Sequence, residues 1–179
     1  MKRFPALCAL LACCALLAVC GLAFAACRGE EALSGSMTLV LDDPATAEAD
    51  AVFEVPLAGF TSADTAADVL DALAAEGKLC YEGSRGAYGL MLTAVGVIEE
   101  GKDAQGDPVK YDRYILRQDA AAGVYLYLYT SVEADAADYE GMTYAEYGGQ
   151  TLAESMAGIG AMTIEDGAVV YITSIVYGG

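Results

Sequence analysis

Histidine and tryptophan are both missing from the 179 residues. Without histidine there is no unperturbed side chain that titrates near neutrality, no Ser-His-Asp triad and no ordinary zinc set. Lysine is scarce beyond the N-terminus: Lys78, Lys102 and Lys110 are the only three, and none stands in a Ser-x-x-Lys pattern. Acidic residues are abundant, at 26, but no Asp or Glu pair stands out as an acid/base couple. The expectation is therefore no enzyme, no catalytic residues and no catalytic cofactor. Disulfides are excluded as well. Of six cysteines, Cys8, Cys13, Cys14 and Cys20 lie in the first 26 residues, Cys27 follows them, and Cys80 stands alone in the remainder. A single thiol in the apolar setting Leu79-Cys80-Tyr81 reads as a buried, inert group.

What is present begins with an export signal. Lys2 and Arg3 open the chain, and no charge occurs from Phe4 to Cys27. A basic start, an apolar run and a small-residue exit make a secretory signal. The exit Phe24-Ala25-Ala26-Cys27 fits a bacterial lipobox, with two small residues before a cysteine whose thiol takes the lipid. Two other readings use the same residues. Ala23-Phe24-Ala25 fits an A-x-A site that would release a soluble protein, and an uncharged run of about 20 residues could span a bilayer uncleaved. All three place the rest of the chain outside the cytoplasm, because Lys2 and Arg3 hold the N-terminus inside. The expected organisation is a lipoprotein signal peptide over residues 1–26, a lipidated tether over 27–36 and one folded domain over 37–179.

From Cys27 onward the 26 acidic residues meet 7 basic ones, a formal balance of −19. Such a surface repels nucleic acid and anionic headgroups, so the expected membrane contact is through the N-terminal lipid alone. Met37–Leu41 and 51–57 alternate as strands. Thr61-Ser62-Ala63-Asp64 has capping-box spacing, and Ala66, Val69, Leu70 and Leu73 share one helical face, which predicts a helix over 63–77. Strands are expected at 79–81, 90–98, 109–118, 124–132, 162–164 and 168–176. Turns are expected at 82–86 and around Asp166-Gly167, the latter closing a hairpin. Residues 133–149 read as a long acidic excursion, and 151–156 as a turn or two of helix. The acids of 133–141 offer oxygen ligands but lack the spacing of a calcium loop. The fold class is α+β: a mostly antiparallel sheet with one main amphipathic helix.

Tyrosine is the unusual residue, at 12. In Val124-Tyr125-Leu126-Tyr127-Leu128-Tyr129 the three tyrosines share one strand face and the leucines the other, as in a central strand covered on both sides. A tyrosine row is also a neutral binding platform with hydroxyl handles. Tyr111 and Tyr114 fall on opposite faces of a regular strand.

The order of pieces resembles the transcobalamin-like C-terminal domain, a β-grasp-like module of bacterial surface proteins. The likeness rests on the opening strand Met37–Leu41 and on the helix Asp64-Thr65-Ala66-Ala67-Asp68-Val69-Leu70-Asp71-Ala72-Leu73. It rests further on Ala87-Tyr88-Gly89 opening a strand, and on Gly158-Ile159 followed by Met162 to Val170. It spans most of residues 37–176, without the tryptophan the family often carries in the strand at 111–116. The resemblance implies a surface lipoprotein binding a small bulky ligand such as cobalamin or a related corrinoid, with Tyr88, Tyr111, Arg113 and Tyr114 as the binding residues. The family's helical partner domain is absent from the chain, so weak binding is expected. The alternative is a non-enzymatic spacer or interaction module for another envelope protein.

Overall fold

Apolar residues at every second position bury Met37, Leu39 and Leu41 on one side of the first strand, and the last strand is almost wholly apolar. These two strands lie side by side in the computed structural model, which describes residues 30–87 and 89–177. The elements are β1 (Ser36–Leu41), β2 (Ala51–Pro56), α1 (Ala66–Ala75), β3 (Leu79–Gly86), β4 (Gly89–Lys102), β5 (Pro108–Arg117), β6 (Val124–Thr130), a 3-10 turn (Glu133–Asp135), β7 (Tyr144–Tyr147), β8 (Gln150–Glu154) and β9 (Val169–Val176). They form a six-stranded sheet in the order β2-β1-β9-β6-β8-β7 and a three-stranded sheet β3-β4-β5. Every pairing is antiparallel except β1 with β9. The fold is thus α+β, mostly sheet with one α-helix among the described residues. Residues 32–179 make one compact unit, and of the preceding unit only Glu30 and Glu31 are described.

One core fills the space between the six-stranded sheet, α1 and the inner face of β3-β4-β5. Leu39, Leu41, Val170 and Ile172 come from the large sheet, Val69, Leu70 and Leu73 from the helix, and Leu79, Val95 and Leu116 from the small sheet. A second cluster of Val40, Tyr129, Leu152, Val169 and Tyr171 covers the opposite face of the large sheet. Both faces of β6 are therefore packed, Leu126 and Leu128 against the first cluster and Tyr127 and Tyr129 in the second.

The helix starts later than the spacing predicts. The Thr61–Asp64 turn forms, with Asp64 accepting from the Thr61 N–H at 2.7 Å, but it does not propagate. The repeat of that pattern, Thr65-Ala66-Ala67-Asp68, opens α1, and the Asp68 carboxylate accepts the Thr65 N–H and hydroxyl, each at 2.8 Å. Two further orphan N–H groups of the first turn, on Ala66 and Ala67, go to the carbonyls of Met162 and Ile159, both at 3.0 Å. Residues 162–164 are not the expected strand: the Met162 carbonyl caps the helix, and the Thr163 N–H goes to the Asp135 carboxylate at 2.6 Å. No hairpin forms at Asp166-Gly167; instead the Asp166 carboxylate receives the Ser36 N–H at 3.0 Å.

Two more expectations are corrected. Residues 82–86 continue β3 past a register shift at Glu82/Gly83 and do not turn. Residues 151–156 are not helical: Gln150–Glu154 is β8, paired with β7 across Gly148-Gly149, whose φ angles of +58° and +79° give the two-residue hairpin turn its required geometry. At the end of the expected tether, Leu33 N–H bonds the Phe60 carbonyl at 2.9 Å, so these residues belong physically to the domain. The signal segment and Cys27 lie outside the described residues.

Leu70 is wholly buried between helix and sheet. Leu70→Ala should cost about 2–5 kcal/mol in urea denaturation, and Asp68→Ala about 1 kcal/mol through loss of the cap. A loss at Asp64→Ala that exceeded the one at Asp68→Ala would return the helix start to the earlier turn.

Candidate functional site

The expected ligand residues on β5 fall into two groups. Tyr111 and Arg113 share a face with Glu99 of β4; Tyr111 donates to the Glu99 carboxylate at 2.8 Å and Arg113 forms an ion pair with it. The two donors together hold the Glu99 carboxyl below its usual range, the Tyr111 bond contributing most. Tyr114 lies on the other face, where the guanidinium of Arg117 sits 4.4 Å from its ring centroid. Arg117 also makes a two-pronged bond to Glu82 at 2.8 and 2.9 Å. The change of face between Arg113 and Tyr114 is the ordinary alternation of a strand; a β-bulge follows at Ile115, between the pairs Gly96–Tyr114 and Val95–Leu116. Gly96 has to be glycine there, since a Cβ would stand 2.0 Å from the Arg113 carbonyl. Cys80, opposite Gly96 on β3, is buried as expected, and burial followed by the charge of Asp112 pushes its thiol pKa up. Tyr88 lies outside the described residues. Tyr111 and Arg113 are thus brought together, while Tyr114 is not, and Arg113 is already paired.

All six described cations, Lys78, Arg85, Lys102, Lys110, Arg113 and Arg117, lie between residues 78 and 117, on or beside the three-stranded sheet. Six acids share that stretch, so it is formally neutral, and the other 20 acidic residues occupy the rest of the chain without a described cation.

The outer face of the large sheet carries the tyrosines. Tyr127 and Tyr129 have ring centroids 5.4 Å apart, Tyr129 and Tyr171 6.1 Å, Tyr147 and Tyr171 6.2 Å, and Tyr125 meets Tyr177 at 5.7 Å. These rings pack edge against face, each such contact worth about 0.5–1.5 kcal/mol beyond area burial. Two of their hydroxyls are engaged, Tyr171 with Asp42 and Tyr129 with Thr143 at 3.0 Å, and nearby Tyr139 bonds Glu154. Burial, then the bond to Glu154, drives the Tyr127 pKa far up. Burial alone would raise the Glu154 carboxyl; bonds from Tyr127, Tyr139 and Thr143 outweigh it and bring the pKa below the ordinary value. The row is therefore mainly a second core.

Cavities of about 470 and 250 Å³ lie at the end of the β4–β5 pair, around Lys102 and Pro108, and beside α1, around Phe60 and Leu73; further concave, mainly apolar surface runs along β6. One cleft of about 150 Å³ is lined by Leu90, Met91, Leu92, Leu126, Leu128 and Gly158. Another of about 230 Å³ is lined by Leu126, Tyr127, Leu128, Ser155, Met156 and Gly158, with Glu154 at its edge. They share Leu126, Leu128 and Gly158. Met91 and Met156, at 68% and 71% exposure, stand beside them as unusually exposed apolar side chains. The expectation of helix over 151–156 hides this site; the Gly148-Gly149 turn signal is what places β8 and exposes the end of its pairing with β6. No protein-family model matches the chain, and no curated protein matches its sequence.

Glu154 supplies a pH test. Its folded pKa lies below the unfolded value of about 4.3, so it stabilises the fold above that value and the contribution disappears as pH falls through the folded pKa. Urea midpoints measured from pH 7 down to pH 3 should fall less steeply at the acid end in Glu154→Gln. An unchanged acid limb would show that the tyrosine bonds to this carboxylate carry no net stability.

Proposed function

We propose that this chain is a lipoprotein, held through Cys27 at the outer face of the cell membrane, whose domain binds a bulky and largely neutral ligand without catalysing a reaction. A corrinoid of the cobalamin type is the leading candidate. The observation that carries this reading is the pair of apolar clefts joined along Leu126 and Leu128, rimmed by Met91 and Met156. A concave apolar surface with a few polar groups at its edge is the usual form of a small-molecule site. Each cleft is smaller than the roughly 300 Å³ at which pockets begin to enclose drug-sized molecules. A corrinoid would therefore lie across both, seated on the two methionines, whose thioethers adapt to irregular ligands.

The likeness to the transcobalamin-like C-terminal domain supports the same reading. So does the chain path: an opening hairpin, a single helix, then a closing strand laid parallel beside the first at the sheet centre, the arrangement of a β-grasp-like domain. Of the residues the likeness suggests, Tyr88 lies outside the described residues; in the sequence it stands two positions before Leu90, which lines the smaller cleft. We place Tyr111, Arg113 and Tyr114 outside the site, because a phosphate at Arg113 would have to displace Glu99. The second reading, a protein-interaction or spacer module, draws on β2 and β7, which end the large sheet and offer one free edge each.

Isothermal titration with cyanocobalamin and cobinamide tests the ligand reading. We expect micromolar or weaker affinity, reduced at least tenfold by Met91→Glu or Met156→Glu. No heat at high protein concentration, with an unchanged melting temperature, would leave the interaction module as the better account. Mass spectrometry of the mature N-terminus tests the anchor. Diacylated Cys27 is expected, whereas a peptide beginning at Ala26 would mean simple secretion.

A further inference from the structure

Strand β6 is seven residues long, but β8 pairs with only its last two, Tyr129 and Thr130. The main chain left beyond that pairing forms the floor shared by the two clefts. From this geometry we infer that the site recognises an amide, through the backbone N–H and C=O of Leu126. The inference rests on the reading of the clefts as a binding site and specifies the chemistry they select.

In an antiparallel pair, successive residues turn their hydrogen-bonding groups alternately toward and away from the partner strand. The phase along β6 is fixed at both ends. Ser131 N–H bonds the Val169 carbonyl at 3.1 Å, and Tyr177 N–H bonds the Gly123 carbonyl at 2.9 Å, so odd-numbered residues face β9. Even-numbered residues face the other way. Val124 exchanges two bonds with Asp119, at 2.8 and 3.0 Å, and Leu128 accepts from Ser155 N–H at 2.9 Å. Leu126 lies between them. Among the described residues, neither its N–H nor its C=O has a main-chain partner, and the residue is half-buried, lining both clefts.

The cause lies in the chain after β8. Met156 N–H turns away to the Asp135 carbonyl at 2.9 Å, and Ala157 N–H to the Ser155 hydroxyl at 3.2 Å. The strand thus leaves β6 at Leu128, two residues short of Leu126, and Gly158 lines both clefts beyond it. The N–H and C=O of an extended residue stand side by side and point the same way. They match one acceptor and one donor held together, as in a carboxamide or a residue of an extended peptide. Apolar groups on either side of that amide would enter the clefts against Met91 and Met156. An ester keeps the shape and one acceptor but loses the donor, leaving the half-buried Leu126 carbonyl unpaired.

Corrinoid side chains and peptides both carry this chemistry, so the test uses matched pairs from each source on the 15N-labelled domain. One pair is cobinamide and the heptamethyl ester of cobyrinic acid. The other is acetyl-Leu-Ala-Leu-methylamide and its analogue with a central ester. In whichever source binds, the Leu126 amide resonance should move, and the amide form should bind about tenfold tighter than the ester. Equal affinity of amide and ester, or shifts at Leu90, Met91, Leu128 and Met156 without one at Leu126, would overturn amide recognition while leaving the clefts as a binding site. If none of the four probes shifts any of these resonances, the cleft reading falls, and amide recognition falls with it. Binding confined to the peptide pair would identify an extended protein segment as the source, and binding confined to cobinamide a corrinoid.

Discussion

The parallel pairing of β1 with β9 is the constraint on which the rest of the molecule depends. Thr38 to Leu41 lie beside Val169 to Ile172, joining strands about 130 residues apart in the chain. Strand geometry then fixes every other assignment. Leu39, Leu41, Val170 and Ile172 face the helix, and Val40, Val169 and Tyr171 face the second cluster. A slip of one residue would send the aliphatic set to the outer face and Tyr171 into the main core. The same pairing places β6 on the far side of β9, where, like β1 and β9, it has both faces packed. Closing such a long loop is costly in chain entropy, and the apolar burial at this seam is what offsets it.

Tyrosine serves two purposes here. On the outer face of the large sheet it fills the role an aliphatic layer or a second helix would otherwise take, with rings packed on one another and hydroxyls reaching Asp42, Thr143 and Glu154. A core of this kind tolerates water at its margin, because each ring ends in a group that can bond to solvent or to a carboxylate. On the small sheet, Tyr114 covers the Gly96 bulge beneath Arg117, and Tyr111 joins Arg113 in holding Glu99. The abundance of tyrosine is consistent with a binding surface, but most of the described rings are used by the fold itself.

Much of the architecture was legible wherever periodicity was long. β1, β2, β4, β5, β6 and β9 all stand within a few residues of their expected places, and the Val69/Leu70/Leu73 stripe does meet the sheet. Failures came where two local signals competed. Thr61-x-x-Asp64 and Thr65-x-x-Asp68 are equivalent as patterns, and only the tertiary bonds from Met162 and Ile159 select the second. Met162–Ile164 is apolar enough for a strand, but its Met162 carbonyl is drawn to the helix N-terminus. The clefts were not legible, since they arise from β8 leaving β6 early, which depends on where Asp135 and Ser155 meet in space. The pairing of Arg113 with Glu99 likewise follows from strand register, which the sequence near Tyr111 does not disclose.

The separation of charge between the two sheets has a mechanical consequence. The stretch 78–117, which builds the small sheet, is formally neutral and holds every described cation, while the other twenty acids lie elsewhere in the chain. Such a body is unevenly charged. Close to a negatively charged boundary, within the roughly 8 Å over which charge is felt at physiological ionic strength, the field exerts a torque on it. The acid-rich sheet is turned outward and the β4–β5 arm inward. If the chain is tethered at a membrane, as we propose, its charge alone would restrict the orientations it samples and decide which surface other molecules meet first.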